Sequence, residues 1–138
     1  MTDAIQTQID AAQQARADGD GVAARNGYAQ AAALARETGQ PLLRAHALRH
    51  LSDIDREADR PDSALAHAEQ ALALYRRHGQ EASLDAANAL RLMALALDGL
   101  RRTPAADKAW TEARALYLAH GVDTGVNECD ARLDVVVE

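Results

Sequence analysis

The sequence predicts an all-helical fold of stacked helical hairpins, and three observations carry that reading. Alanine and leucine dominate a chain whose aromatic residues make up only 3%: three Tyr, one Trp and no Phe. A β-sandwich, which draws on β-branched and aromatic residues and frequent turns, is excluded by that composition. Gly (8) and Pro (3) are scarce, and several of them fall at regular intervals. Finally, a seven-residue pattern returns three times. With 138 residues the chain is one domain, 1–138, long enough for a core.

The returning pattern is Ala33-Leu34-Ala35-Arg36-Glu37-Thr38-Gly39, then Ala73-Leu74-Tyr75-Arg76-Arg77-His78-Gly79, then Ala115-Leu116-Tyr117-Leu118-Ala119-His120-Gly121. A second echo pairs Ala45-His46-Ala47-Leu48-Arg49 with Ala87-Asn88-Ala89-Leu90-Arg91. The spacings are 40 and 42 residues, and a fixed period of this size with helical composition means stacked hairpins.

Punctuation then sets the elements in order. Gly39, Gly79 and Gly121 each follow an apolar-periodic run, where a helix ends in a left-handed residue. Pro41, Pro61 and Pro104 stand where helices begin, because the first turn has no use for the missing N–H. Thr103 reads as an N-cap, and Asp123 or Thr124 as another. Helices are expected over 3–17, 21–38, 41–58, 61–78, 81–101, 104–120 and 123–136. Leu43, Ala47, Leu51 and Ile54 share one face, as do Leu90, Met93, Leu97 and Leu100. The last helix carries Val126, Cys129, Leu133 and Val136 and is expected to cap the stack. The first has only Ile5, Ile9 and Ala12 as an apolar stripe, and Ile5 and Ile9 read as the residues with least cover.

Charge narrows the function classes. The net charge is −6, which argues against a nucleic-acid or membrane-surface partner. The positive side is nonetheless fourteen Arg against one Lys, Lys108, so a local basic patch remains open. A single cysteine, Cys129, rules out an intrachain disulfide and a cysteine-based zinc site. Met1-Thr2-Asp3-Ala4-Ile5 lacks the basic flank and apolar run of a secretory leader, and no stretch has the length of a membrane span. A cytoplasmic location is expected.

The helix pairs also carry a small-residue signature. Ala24/Tyr28/Ala31, Ala64/Ala68/Ala71 and Ala106/Trp110/Ala113 mark the second helix of each pair, and Leu48/Leu51/Ser52 and Leu90/Met93/Ala94 mark the preceding helix. This resembles the tetratricopeptide repeat. The likeness covers nearly the whole chain as three repeats, 3–39, 41–79 and 81–121, plus the capping helix 123–136. The period exceeds the usual roughly 34 residues and resembles the extended repeats of kinesin light chains and of bacterial peptide-sensing regulators. Asp55 and Leu97 stand where the family often has Tyr, and no repeat ends in Pro. The resemblance implies a right-handed superhelical array in which the first helix of each pair lines a concave groove. It also implies a non-enzymatic adaptor or scaffold that binds a protein or peptide segment and needs no cofactor. Ile9 and Gln13 stand where the family's chaperone-tail carboxylate clamp needs Lys and Asn, so that specific function is not expected.

On this reading the groove positions are His46, Arg49, Asp53 and Arg56, then Asn88, Arg91, Leu95 and Asp98. Arg49 and Arg91 are repeat-equivalent, and forked guanidinium groups suit a carboxylate or the backbone of an extended peptide. A second reading has them in local pairs, Arg49 with Asp53 and Arg91 with nearby acids.

No catalytic signature is present: no phosphate-binding Gly loop, no G-x-S-x-G and no H-E-x-x-H. His46, His50 and Asp53 have a spacing that would bring three side chains to one helix face, but a fourth metal ligand is missing and no metal site is expected. His50 reads as a residue beside the core, because its repeat counterpart is Leu92. His78 and His120 read as helix-end residues that favour the dipole, and Cys129 as an inert core thiol. A self-associating module, a homodimer through a terminal repeat, is the alternative to the adaptor.

Overall fold

The structure is a computed structural model and describes residues 2–133. They form α1 (Thr2–Ala17), α2 (Gly21–Glu37), α3 (Pro41–Glu57), α4 (Pro61–Arg77), α5 (Leu84–Gly99), α6 (Thr103–Ala119) and α7 (Asp123–Leu133), with no strand among the described residues. Each helix packs against the next, and α3 also packs against α5. All-helical architecture and the order of elements agree with the expectation from sequence.

Helix starts follow from a few residues. Asp20 caps α2 by accepting from the Ala23 N–H at 3.1 Å. Ser83 caps α5, accepting from Ala86 N–H at 3.0 Å, so this helix opens at Leu84 and not at 81. Pro41 and Pro61 are first residues, where no intrahelical donor is lost. Two expected caps move inside their helices. Thr103 is the first residue of α6 with Arg102 at the cap, and Asp123 opens α7 with Thr124 second. The expected end of the last helix at 136, with Val136, lies outside the described residues.

Helix ends share one joint. Gly39, Gly79 and Gly121 are left-handed, with φ of 68°, 77° and 69°. Gly19, Asp59 and Arg101 adopt the same conformation at the other three exits. In every case the next N–H reaches back to a carbonyl five residues earlier, from Asp20 to Ala15 through Val122 to Tyr117, at 2.8–3.0 Å.

The core runs along the stack between paired helices. All three small-residue sets are buried: Ala24, Tyr28, Ala31; Ala64, Ala68, Ala71; and Ala106, Trp110, Ala113. Alanine at these positions lets neighbouring backbones approach closely. One close approach is at Gly27 of α2, where an added Cβ would lie 2.8 Å from the Ala12 Cβ of α1. That contact corrects the expectation for the first helix. Ile5 and Ile9 are not weakly covered but fully buried with Ala12, seated in the core with α2. The apolar faces of α3 and α5 point inward as expected, with Leu43, Met93 and Leu100 partly covered at the edges. Burying one Leu side chain contributes about 1.5–3 kcal/mol, so these rows dominate stability.

One charge sits inside. Asp55, where the family resemblance leads one to expect Tyr, is 0% exposed. Its Oδ1 accepts from Arg25 Nε of α2 at 3.0 Å, and His67 Nδ1 of α4 stands 3.0 Å from Oδ2, off the line of a hydrogen bond. Three helices are tied at one carboxylate.

Candidate functional site

Helices α1, α3 and α5 each lend an arginine to one cavity of about 200 Å³. Its walls are Arg16, Arg49, His50, Asp53, Asn88, Arg91 and Leu92. In a chain of net charge −6, three arginines against one aspartate line the wall itself, with the acids that balance them standing around its rim.

Each charged wall residue is held by a named partner. Arg16 donates through Nη2 to Asp53 at 2.8 Å and to Glu57 at 3.0 Å. Asp53 also accepts from Arg56 Nη2 at 2.6 Å. Burial opposes its charge, but the bonds from Arg16 and Arg56 prevail and hold the carboxyl below its usual range. Arg49 uses Nη2 twice, 3.1 Å from His46 Nδ1 and 3.3 Å from Asp85. Its guanidinium carbon lies 5.9 Å from the Tyr75 ring centre, and its buried Nε has no hydrogen-bond partner among the described residues. Arg91 grips Glu128 of α7 with two bonds, Nε to Oε1 at 2.5 Å and Nη2 to Oε2 at 3.2 Å. The hydrogen bond to Glu128, stronger than the cost of burial, raises the Arg91 pKa.

Two neutral groups complete the wall. His50 stacks on Tyr28 with ring centres 4.6 Å apart and planes 4° from parallel, and His46 meets it edge-on at 4.8 Å. Burial first, then the nearby His46, Arg49 and Arg16, push His50 down to about 4, so the ring is uncharged at neutral pH. Asn88 accepts the Tyr117 hydroxyl at 2.7 Å through Oδ1. Burial pushes that hydroxyl up to about 12, which keeps it a donor.

Of the eight positions expected in the groove, the cavity gathers Arg49, Asp53, Asn88 and Arg91. The other four stand apart from its wall. His46 braces Arg49, and Arg56 braces Asp53. Asp98 accepts from Trp110 Nε1 at 2.9 Å and lies 3.4 Å from Arg132 Nη1. Leu95 is a correction: it is 9% exposed and belongs to the core, because its turn of α5 faces neighbouring helices. His50 lies beside the core as expected, stacked on buried Tyr28, and from there also lines the cavity. The local pairing of Arg49 differs too: its acid is Asp85 on α5, not Asp53, which Arg16 and Arg56 occupy.

Sequence reasoning missed Arg16. The repeat spacing carries a signal for it, because Arg16 lies 40 residues before Arg56, one of the expected groove positions.

The remaining candidates have structural surroundings. Cys129 is buried, and burial with the nearby Glu128 and Asp130 pushes its thiol up to about 11, away from the reactive thiolate. His120 lies with Nε2 2.8 Å from the Ala82 carbonyl and links the end of α6 to the α4–α5 connection. His78 supplies the C-cap position of α4. Among the described residues no group of three His, Cys, Asp or Glu side chains is placed to hold a metal ion.

A scan against protein-family models finds no match for this chain, and a search of the curated proteins finds none. Among the described residues no helix is long and apolar enough to cross a membrane.

Proposed function

We propose that the chain is a tetratricopeptide-like module, a right-handed superhelical array acting as a cytoplasmic, non-enzymatic adaptor that binds a protein or peptide segment in its groove. The observation that carries this reading is the convergence of Arg16, Arg49 and Arg91 from three alternate helices on one cavity. Arginine forks match carboxylates and backbone carbonyls, and fixed helices hold them in place before any partner arrives. The buried small-residue sets, repeated at 40 and 42 residues, support the family likeness.

A self-associating module has less to draw on. The first helix offers it no apolar surface, because Ile5 and Ile9 are both buried.

Selection of a random linear peptide library on the purified chain tests the proposal. Recurrent sequences should emerge, and the Arg49→Ala/Arg91→Ala variant should bind them at least about tenfold more weakly at a temperature where its own melting curve shows it folded. No enrichment, or enrichment that survives both substitutions, would move the function away from this groove. Light scattering reads the alternative directly, as a dimer whose mass falls on dilution.

A further inference from the structure

Asp85 and Glu128 have a second use. We propose that they are resident stand-ins for the carboxylates of an acidic peptide segment, holding Arg49 and Arg91 until side chains of that segment displace them. The inference rests on the peptide-binding reading of the same groove and names the chemistry of the partner.

Geometry distinguishes these two acids from the third carboxylate of the site. Asp53 is fixed between Arg16 and Arg56 at 2.8 and 2.6 Å and belongs to the wall. Asp85 is 56% exposed and stands 3.3 Å from Arg49, while Glu128 is 29% exposed and reaches Arg91 from the neighbouring helix α7. Asp85 can swing into water at little cost to itself, since a single contact to an exposed acid holds weakly, whereas Glu128, closed on Arg91 by two bonds, is the harder of the two to displace. Arg49 cannot do the same, whereas Arg91, 35% exposed, keeps some access to water. Arg49 is only 14% exposed, packed over Tyr75, and its Nε already lacks a partner. A departing acid therefore leaves a fixed, partly desolvated guanidinium that must be satisfied.

What satisfies it is set by charge. An incoming carboxylate replaces an outgoing one, so the balance at the cavity is preserved and the fork of Arg91, already closed on Glu128 by two bonds, needs no rearrangement. A phosphate dianion would add charge beside Asp53, and a neutral amide would leave the guanidinium without a counter-charge. The ligand is thus a segment bearing Asp or Glu side chains, and its affinity is set by competition with the chain's own acids.

Competition makes a testable and otherwise unexpected demand: removing acidic groups next to the groove must tighten the binding of an acidic ligand. The probes are fluorescent twelve-residue peptides of alternating Glu and Gly or Gln and Gly, amidated at the C-terminus, with a third Gln–Gly peptide ending in a free carboxylate. Anisotropy on the full chain should show binding of the Glu–Gly peptide above that of both Gln–Gly peptides. Asp85→Asn alone, a change at an exposed residue, should tighten it about threefold, and Asp85→Asn/Glu128→Gln further. Melting curves accompany each variant, and the single change keeps the test usable if loss of Glu128 loosens α7. Unchanged or weaker Glu–Gly binding by a folded Asp85→Asn chain overturns the stand-in role, as does equal binding of the Gln–Gly peptide. Preference for the free carboxylate assigns the arginines to a chain terminus and overturns the side-chain proposal. If no acidic peptide binds while library-selected neutral sequences do, the acidic partner is wrong and the peptide-binding reading stands.

Discussion

Two sets of carboxylate–cation pairs in this chain use the same kind of contact and do opposite things. At Asp55 a carboxylate with no exposure is met by Arg25 and His67 from the helices on either side. At the cavity, Asp85 and Glu128 meet Arg49 and Arg91 where water reaches the acids. A buried charge cannot lose its partner without a large desolvation cost, whereas an exposed one exchanges its partner for water at little cost. Burial, not the identity of the pair, separates a tie from a contact that can be traded.

Stability measurements can break that comparison. Arg25→Ala leaves the fully buried Asp55 carboxylate without its hydrogen-bonding partner and should cost about 3 kcal/mol in urea unfolding. Asp85→Ala should stay within about 0.5 kcal/mol of the native chain. Equal costs would erase the distinction between the two sites.

The interior side of the comparison is sharpened by overpacking. Ala71 and Ala113 are fully buried at helix contacts, and Leu at either should cost about 1–3 kcal/mol. Neutral substitutions at both would mean that these alanines do not mark the close approach.

The cavity side has a pH signature. Folding depresses His50 to about 4, below the ordinary value of 6.5. Between those values the unfolded chain takes up a proton that the folded chain refuses, so stability falls as pH drops from 6.5 toward 4. Thermal melts across that window should show the fall, and His50→Leu, the residue found at the equivalent Leu92, should lessen it, leaving the share of His46, which burial also lowers. An unchanged slope would remove His50 as its source.

One expected effect is a gain. Asp59 holds a left-handed backbone with φ of 60°, a conformation that costs a residue with a Cβ about 1 kcal/mol. Asp59→Gly should recover roughly that amount in unfolding experiments. A loss would show that the Asp59 side chain contributes more than the strain it bears.

The helices were legible because proline and glycine act locally: Pro41 and Pro61 open helices, and Gly39, Gly79 and Gly121 close them, whatever packs around them. The first helix was harder. Two isoleucines among polar residues give little periodic signal, and their burial depends on α2 bringing Gly27 against Ala12, a contact that no local pattern encodes. In the site, repeat register brought out Arg49, Asp53, Asn88 and Arg91, because equivalent positions on α3 and α5 face the same way. It misplaced Leu95 because inner-face position alone does not tell how closely the next helix covers a turn. The acids that hold the arginines were illegible for the same reason. Glu128 comes from α7, 37 residues beyond Arg91, and only the folded chain brings them together.

The six like joints have a kinetic consequence. Each returns the chain onto the helix just completed, so apart from α3 against α5 the main packing partners are consecutive in sequence. Few long loops have to close before contacts form, and chains with such low contact order refold in about microseconds to milliseconds. Opening is local as well. A terminal hairpin can come apart without disturbing the far end, and amide exchange should be slowest in the middle helices and quicken toward both ends.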